Sequence, residues 1–161
     1  MERLIGALIS ALHAGGIPAV RSFASGTMPR LTEVVTSVSL KSAKSHGGAF
    51  YTYLGLQEQD DGGLLPIYGR PLEATVRFLV HAPHAMGSHA CMEQVFALAQ
   101  LLTAGVVGVQ LGELTVGSCV YDNVTDCFQC ELCVQAQAYL YATGNSDETE
   151  FTDFILKGEV R

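Results

Sequence analysis

The stretch from Gly112 to Tyr141 constrains the fold of this chain most, because its apolar and polar residues alternate almost without interruption. In its second half the even positions are apolar: Phe128, Cys130, Leu132, Val134, Ala136, Ala138 and Leu140. The odd positions are mostly polar: Cys127, Gln129, Glu131, Cys133, Gln135, Gln137, Tyr139 and Tyr141. Since successive side chains of a strand point to opposite faces, the pattern predicts a strand with one buried face. Such alternation is typical of an antiparallel sheet that is packed on one side.

The first half of this stretch has the same alternation. It places Leu114, Val116 and Val120 on one face, and Glu113, Thr115 and Tyr121 on the other. Asp122, Asn123 and Thr125 supply residues that favour a turn between the two halves. The whole stretch is therefore predicted to be a long β-hairpin.

Apolar spacing elsewhere predicts two helices and several further strands. Helices are expected at residues 2–14 and 89–103, the second with Ser88 as its N-cap. Its predicted buried stripe consists of Met92, Val95, Phe96, Ala99 and Leu102. Extended segments or strands are expected at 17–23, 31–42, 49–57 and 70–81, with a polar loop from about residue 60 to 69.

These elements predict an α+β fold, in which a twisted, mostly antiparallel sheet has two helices packed on one face. The length of 161 residues fits a single domain, placed at residues 1–143. Residues 144–161 are predicted to be an acidic linker followed by a C-terminal extension. Its apolar residues Phe151, Phe154 and Ile155 are expected to dock on the same subunit or on a neighbour.

Charge and composition exclude several classes of function. The net charge is -7 and the nine lysines and arginines are scattered, whereas nucleic acids and anionic membranes require clustered cations. No apolar run approaches the roughly 20 residues of a membrane span.

Hydrophobic residues make up 48% of the chain, a surplus that favours a subunit interface. Five cysteines, an odd number, favour a reducing compartment.

Cys127, Cys130 and Cys133 have a spacing that is typical of iron–sulfur or zinc ligands. In a strand, however, Cys130 points into the core while Cys127 and Cys133 point out of the other side. Ligands must converge on one ion, so the alternation argues against a metal site here. Cys130 is predicted to be a small buried hydrophobic residue.

His81, His84, His89 and Cys91 form a second cluster in the sequence, one that could ligate zinc or pair a thiol with a histidine. The expected positions of these residues argue for ordinary structural roles. His81 is predicted on the solvent face of its strand, His84 in a loop and His89 in the first turn of a helix. We therefore predict no catalytic residue, no metal ligand and no cofactor.

The order of elements nevertheless resembles a known family. A helix precedes the extended segment Ile17-Pro18-Ala19-Val20, and a hairpin, a strand with the sequence LEATVRFLVHAP and a second helix follow. The late hairpin ends in CELCVQAQAYLYAT. This arrangement resembles the tail terminator proteins of long-tailed phages and of their contractile-tail relatives, such as phage-tail-like bacteriocins. The resemblance spans residues 1–142.

The resemblance implies a non-enzymatic α+β subunit that forms a hexameric ring, or collar, on the end of the tail tube. Such a ring stops tube polymerisation and joins the tail to the head or neck. Its partners would be further copies of the chain, the tail tube, and sheath or neck proteins. The protein would reside in the cytoplasm of the producing bacterium until it is assembled into a virion or a tail-like particle.

Two alternatives remain open at this point. One is another tail or neck component, such as a tail-completion or tube-like protein. The other is a thiol- or metal-dependent enzyme that uses Cys91, His81, His84 and His89, or the cluster from Cys127 to Cys133.

The polar face of the long hairpin is either solvated or a contact surface for another subunit. The candidate subunit-interface residues are Gln129, Glu131, Gln135, Gln137, Tyr139, Phe151, Phe154 and Ile155.

Overall fold

The computed structural model describes residues 2–23, 28–45, 52–58, 62–142 and 154–157, with the backbone alone at residues 2, 52, 57, 138–142 and 154–157. The elements are α1 (Glu2–Ala14), β1 (Ala19–Arg21), β2 (Val35–Ser45), β3 (Thr52–Glu58), β4 (Leu64–Pro83), α2 (Gly87–Ala104), β5 (Gln110–Asp122), β6 (Cys127–Ala142) and β7 (Phe154–Lys157). A short 3-10 helix, His84–Met86, leads into α2.

In the described part of the chain, seven strands form one sheet with the order β1-β2-β4-β6-β5. Strand β3 pairs with the first part of β4, and β7 pairs with the last part of β6. Only the pairing of β1 with β2 is parallel among these strands. The predicted α+β class and the mostly antiparallel sheet are confirmed.

The two longest strands, β4 and β6, form the centre of the sheet. They pair without a break from Tyr68 opposite Ala142 to Pro83 opposite Cys127. The even positions of both strands fill the core, as the alternation predicts: Leu72, Ala74, Val76, Phe78, Val80, Ala82, Cys130, Leu132, Val134 and Ala136 are all buried. Each large side chain removed from water in this way contributes about 1.5–3 kcal/mol to folding.

Residues of both helices belong to the same hydrophobic cluster as these strand residues. Helix α1 contributes Ile5, Leu8 and Leu12, which recur at the spacing of one helical face. Helix α1 is followed directly by Gly15, where a Cβ would clash with the Leu101 Cδ1 atom of α2. The absence of a side chain there allows the end of α1 to approach α2 closely.

The buried stripe of α2 differs from the prediction. Cys91, Val95, Leu98 and Leu102 are buried, whereas Phe96 is 62% exposed. The stripe follows the spacing of three and four residues from Cys91, and Phe96 lies one position away from it. The predicted cap was also wrong, because the helix begins at Gly87 with Met86 at its N-cap, where no side chain caps it.

The first arm of the long hairpin, β5, contains two β-bulges, and these change which of its side chains lie on the core face. Register shifts lie between Leu111 and Leu114 and between Val116 and Cys119. Beyond the second shift, Tyr121 is opposite Phe128 and Val120 is opposite Gln129. Their predicted faces were therefore exchanged, because each extra residue in a bulge reverses the alternation that follows it.

Strand β4 begins at Leu64, so the second half of the predicted loop at 60–69 is instead paired with β3. The C-terminal extension joins the sheet through β7, whose residues Phe154–Lys157 pair with Tyr139–Ala142 of the same chain. The expected linker at residues 144–150 lies outside the described residues, and the assignment of residues 1–143 to one domain stays a prediction.

Candidate functional site

The odd positions of β4 and β6, with their neighbours on β2, form a surface that we call the polar face. Its members are Ser37, Ser39, Lys41, Thr75, Arg77, His81, Gln129, Glu131, Cys133, Gln135 and Gln137. Cross-strand pairing places them side by side, for example Ser39 opposite Arg77 and Arg77 opposite Cys133. Four of the five candidate interface residues on β6 belong to this face. The fifth, Tyr139, belongs to it by its odd position in the strand.

One end of the polar face is covered, which the alternation of β4 did not reveal. His81 is only 4% exposed, so its predicted solvent position was wrong. The Phe23 ring lies edge-on to the His81 ring, with 5.4 Å between the centroids. His81 Nε2 lies 3.1 Å from the Ser37 hydroxyl oxygen. The segment that follows β1 therefore buries this end.

Burial also changes the chemistry of His81. Loss of hydration, followed by the nearby Arg77 charge, lowers the pKa of His81 to about 4. The imidazole is therefore neutral at pH 7, and its Nδ1 atom has no hydrogen-bond partner among the described residues. The neutral ring is a buried packing partner of Phe23.

The middle of the polar face holds a three-residue cluster of an amine, a carboxylate and a thiol. Lys41 Nζ donates to Glu131 Oε1 at 2.6 Å and lies 3.4 Å from Cys133 Sγ. The Cys133 thiol donates to the same Glu131 oxygen at 3.1 Å. The hydrogen bond from Lys41 lowers the pKa of Glu131, and burial followed by Glu131 raises the pKa of Cys133. Side chains from β2 and β6 thus meet across β4.

The candidate interface residues are in different environments. Gln129 donates to the Asp122 carboxylate and to the Thr125 hydroxyl, both at 3.0 Å, and so helps to close the turn between β5 and β6. Gln135 and Gln137 are exposed at the other end of the polar face.

Three of the remaining candidates lie in the β6–β7 pairing. Tyr139, Phe154 and Ile155 are described by their backbone pairing alone, and Phe151 lies outside the described residues. Their interface role stays a prediction.

The cysteines are free, and three of them lie in the core. Cys130 is fully buried, as predicted. Cys127 was expected on the outer face but is only 3% exposed. Cys119, which no sequence pattern singles out, lies directly opposite Cys130 across the β5–β6 pairing.

Cys91 has no feature of an activated nucleophile. It is fully buried, and its thiol lies 3.8 Å from the Val80 carbonyl oxygen, to which it donates. Burial, followed by interaction with Cys119, raises the pKa of Cys91 to about 12. The thiolate that nucleophilic chemistry requires is therefore scarce at neutral pH.

The histidines near Cys91 in sequence are separated in the structure. The His84 ring packs against Tyr121 and Phe128, with centroid distances of 5.3 and 6.0 Å. The His89 side chain is 83% exposed and lies 3.7 Å from the Glu93 carboxylate. No group of three histidine, cysteine or acidic side chains is placed to hold a metal ion in the described ranges.

A cleft with a volume of about 690 Å³ lies beside His84. Its walls come from three distant segments: Phe23 and residues 28–31, residues 83–85, and the turn at residues 124–127. Arg30 and Asp126 are its charged lining residues. No local sequence pattern brings these segments together, so the cleft is not predictable from the sequence.

Comparison with known proteins found no family model and no curated protein that matches this chain. Among the described residues, no helix has both the length and the apolar character that are needed to cross a membrane.

Proposed function

We propose that the protein is a structural tail-assembly subunit: a tail terminator that forms a hexameric ring, caps the tail tube and joins it to the head or neck. The ring is expected to form in the cytoplasm of the producing bacterium and then to become part of a virion or a tail-like particle. The order of elements in residues 1–142 supports this proposal through the resemblance described above.

An exposed apolar surface on the β3–β4 hairpin carries the proposal most directly. Tyr53, Leu56, Leu64 and Tyr68 are between 46% and 62% exposed. The Tyr53 and Tyr68 rings pack against each other, with their centroids 5.9 Å apart. Large apolar side chains that remain exposed as a group mark interaction surfaces in soluble proteins, and a neighbouring subunit would remove them from water.

We further infer that both helices cover the same face of the sheet, because α1 and α2 residues share one cluster with the even positions of β4 and β6. That arrangement leaves the polar face free for a neighbour. The exposed Gln135 and Gln137 are the described β6 candidates with side chains directed to solvent.

Leu64→Arg tests the apolar surface, because a buried guanidinium without a partner strongly opposes association. We expect the native protein to sediment as a hexamer and the variant to shift towards monomers. Val107→Arg is the matched control, since Val107 is fully exposed on the loop before β5. A native protein that stays monomeric at high concentration, and also in the presence of purified tail tubes, would overturn the ring.

Gln135→Arg tests the polar face in the same assay, with the exposed Gln100 of α2 as the control site for Gln100→Arg. A loss of rings in Leu64→Arg alone would place the interface on the β3–β4 hairpin. A loss in Gln135→Arg alone would place it on β6.

Another tail or neck component, such as a tail-completion or tube-like protein, is the alternative with the same architecture. Purified protein that ends tube growth supports a terminator, whereas protein that extends tubes supports a tube-like subunit.

The thiol- or metal-dependent enzyme has weaker support, since Cys91, His81, His84 and His89 do not converge on one point. Metal analysis of the purified protein with the Cys91→Ser and Cys127→Ser variants tests it directly. Stoichiometric zinc or iron that disappears in either variant would favour the enzyme.

A further inference from the structure

The Lys41–Glu131–Cys133 cluster places a primary amine beside a half-buried thiol. We propose that Lys41 and Cys133 form a covalent cross-link, a sulfenamide bond between Nζ and Sγ, when a peroxide oxidises the thiol. The two atoms are 3.4 Å apart. This inference is independent of the proposed function and concerns the free subunit.

The fold brings the two residues together through a bulge. Lys41 is the extra residue of β2, lying between Leu40, opposite Val76, and Ser42, opposite Thr75. Adjacent strands lie about 4.8 Å apart, so a side chain must cover about 10 Å to reach from β2 over β4 to β6. The extended lysine side chain covers most of this distance, and its Nζ atom is held at Glu131 Oε1 by a 2.6 Å contact.

The chemistry proceeds in two balanced steps. In the first step, hydrogen peroxide oxidises the Cys133 thiol to a sulfenic acid, and one oxygen of the peroxide leaves as water. In the second step, the lone pair of neutral Lys41 Nζ forms a bond with Sγ. The sulfur–oxygen bond breaks, and the hydroxyl leaves as water with a proton from the amine. The thiol and amine together lose two hydrogens, and one peroxide is reduced to two waters.

Glu131 has a direct part in this geometry. Its Oε1 atom accepts from both the amine and the thiol, at 2.6 and 3.1 Å. Glu131 thereby keeps Nζ beside the thiol, which favours the cross-link over further oxidation of sulfur. The proton that the ammonium group must lose before it attacks sulfur passes to hydroxide of the alkaline buffer, because the hydrogen bond between the two side chains lowers the pKa of Glu131 and raises the pKa of Lys41.

The test treats the purified full chain with hydrogen peroxide in mildly alkaline buffer and maps its peptides by mass spectrometry. Alkaline conditions are chosen because burial and Glu131 raise the pKa of the thiol, and the hydrogen bond to Glu131 raises the pKa of the Lys41 amine. We expect a linked pair of peptides that contains Lys41 and Cys133 and is lighter by two hydrogens than their sum. Dithiothreitol should separate the pair again.

Lys41→Arg keeps the positive charge but removes the nucleophilic amine, so it should abolish the linked pair and leave a sulfenic acid that dimedone labels at Cys133. Lys44→Arg on the same strand should leave the cross-link intact. Cys133→Ser should abolish it, whereas Cys119→Ser, at a thiol that is also half-buried, should not. Circular dichroism checks that each variant is folded.

Three results would overturn the proposal. The first is that Cys133 is unmodified by peroxide. The second is that it is converted to sulfinic or sulfonic acid, or to a disulfide, without a link to Lys41. The third is that the linked pair persists in folded Lys41→Arg.

Discussion

The two faces of strand β4 carry different side chains and are buried in different ways. On the even-numbered face, burial is continuous from Leu72 to Ala82, and the helices contribute to the same cluster. On the polar face, burial is confined to the end at His81, where Phe23 lies over the imidazole. One strand thus combines a uniform core face with a face whose chemistry changes along its length. The polar side chains differ in burial and pKa because Phe23 lies over the His81 end of this face.

The largest expected effect is at the centre of the core face. Phe78→Ala removes a fully buried ring and leaves a cavity, so we expect a loss of about 3–5 kcal/mol in the free energy of unfolding. Urea denaturation measures this loss. Arg77→Ala, one residue away on the polar face, is the matched control and should cost much less. Equal losses in the two variants would mean that side chains on the two faces contribute equally to the free energy of unfolding.

The next effect is the acid sensitivity of the covered end. The pKa of His81 is about 4 in the folded protein, against an ordinary value of 6.5. Between pH 6.5 and 4 the unfolded chain therefore binds a proton at this histidine more readily than the folded protein does. The contribution of His81 to stability is complete above pH 6.5 and is lost as the pH falls towards 4. The loss from this residue is at most about 3 kcal/mol.

His81→Phe keeps a ring against Phe23 and removes the titrating group. We expect its free energy of unfolding to vary less between pH 6.5 and 4 than that of the native protein. His89→Gln, at an exposed histidine, should keep the native pH dependence. An unchanged pH dependence in folded His81→Phe would show that His81 is not buried in its neutral form.

The smallest effect concerns the bulge that brings Val120 to the polar side. A Cβ on Gly117 would lie 3.2 Å from the Glu131 carbonyl oxygen, which is a tight contact with backbone. Gly117→Ala is therefore expected to cost about 1 kcal/mol. At Gly112 the closest contact of a Cβ would be 3.5 Å, so Gly112→Ala should cost less. Denaturation midpoints compare the pair, and a greater loss at Gly112 would contradict the observed register.

The exposed apolar surface on the β3–β4 hairpin and the polar face set the order of the experiments. The oligomeric states of the native protein and of Gln135→Arg come first, because together they decide whether the polar face is solvated or contacts a neighbour. The oxidation experiment on Cys133 then needs the protein in its free state, since a neighbour on the polar face would shield the thiol.

The sequence by itself determined the strands with strict alternation and the position of the first helix. It placed Cys130 in the core and predicted the α+β class, because a period of two and a helical period are local properties. The turn at Asp122 was also predictable, since its carboxylate accepts from the Val124 amide and the Thr125 hydroxyl, both within three residues.

Tertiary structure alone decided the chemistry of the polar face. His81 is covered by Phe23, which is distant in sequence, and alternation tells which face a residue occupies but not what covers that face. The bulges at Lys41 and Gly117 depend on the partner strands, so the sequence pattern could not reveal that Lys41 meets Cys133 or that Val120 and Tyr121 exchange faces. The local period of a strand determines which face of the sheet a side chain points to. Contacts with distant segments determine how buried that side chain is.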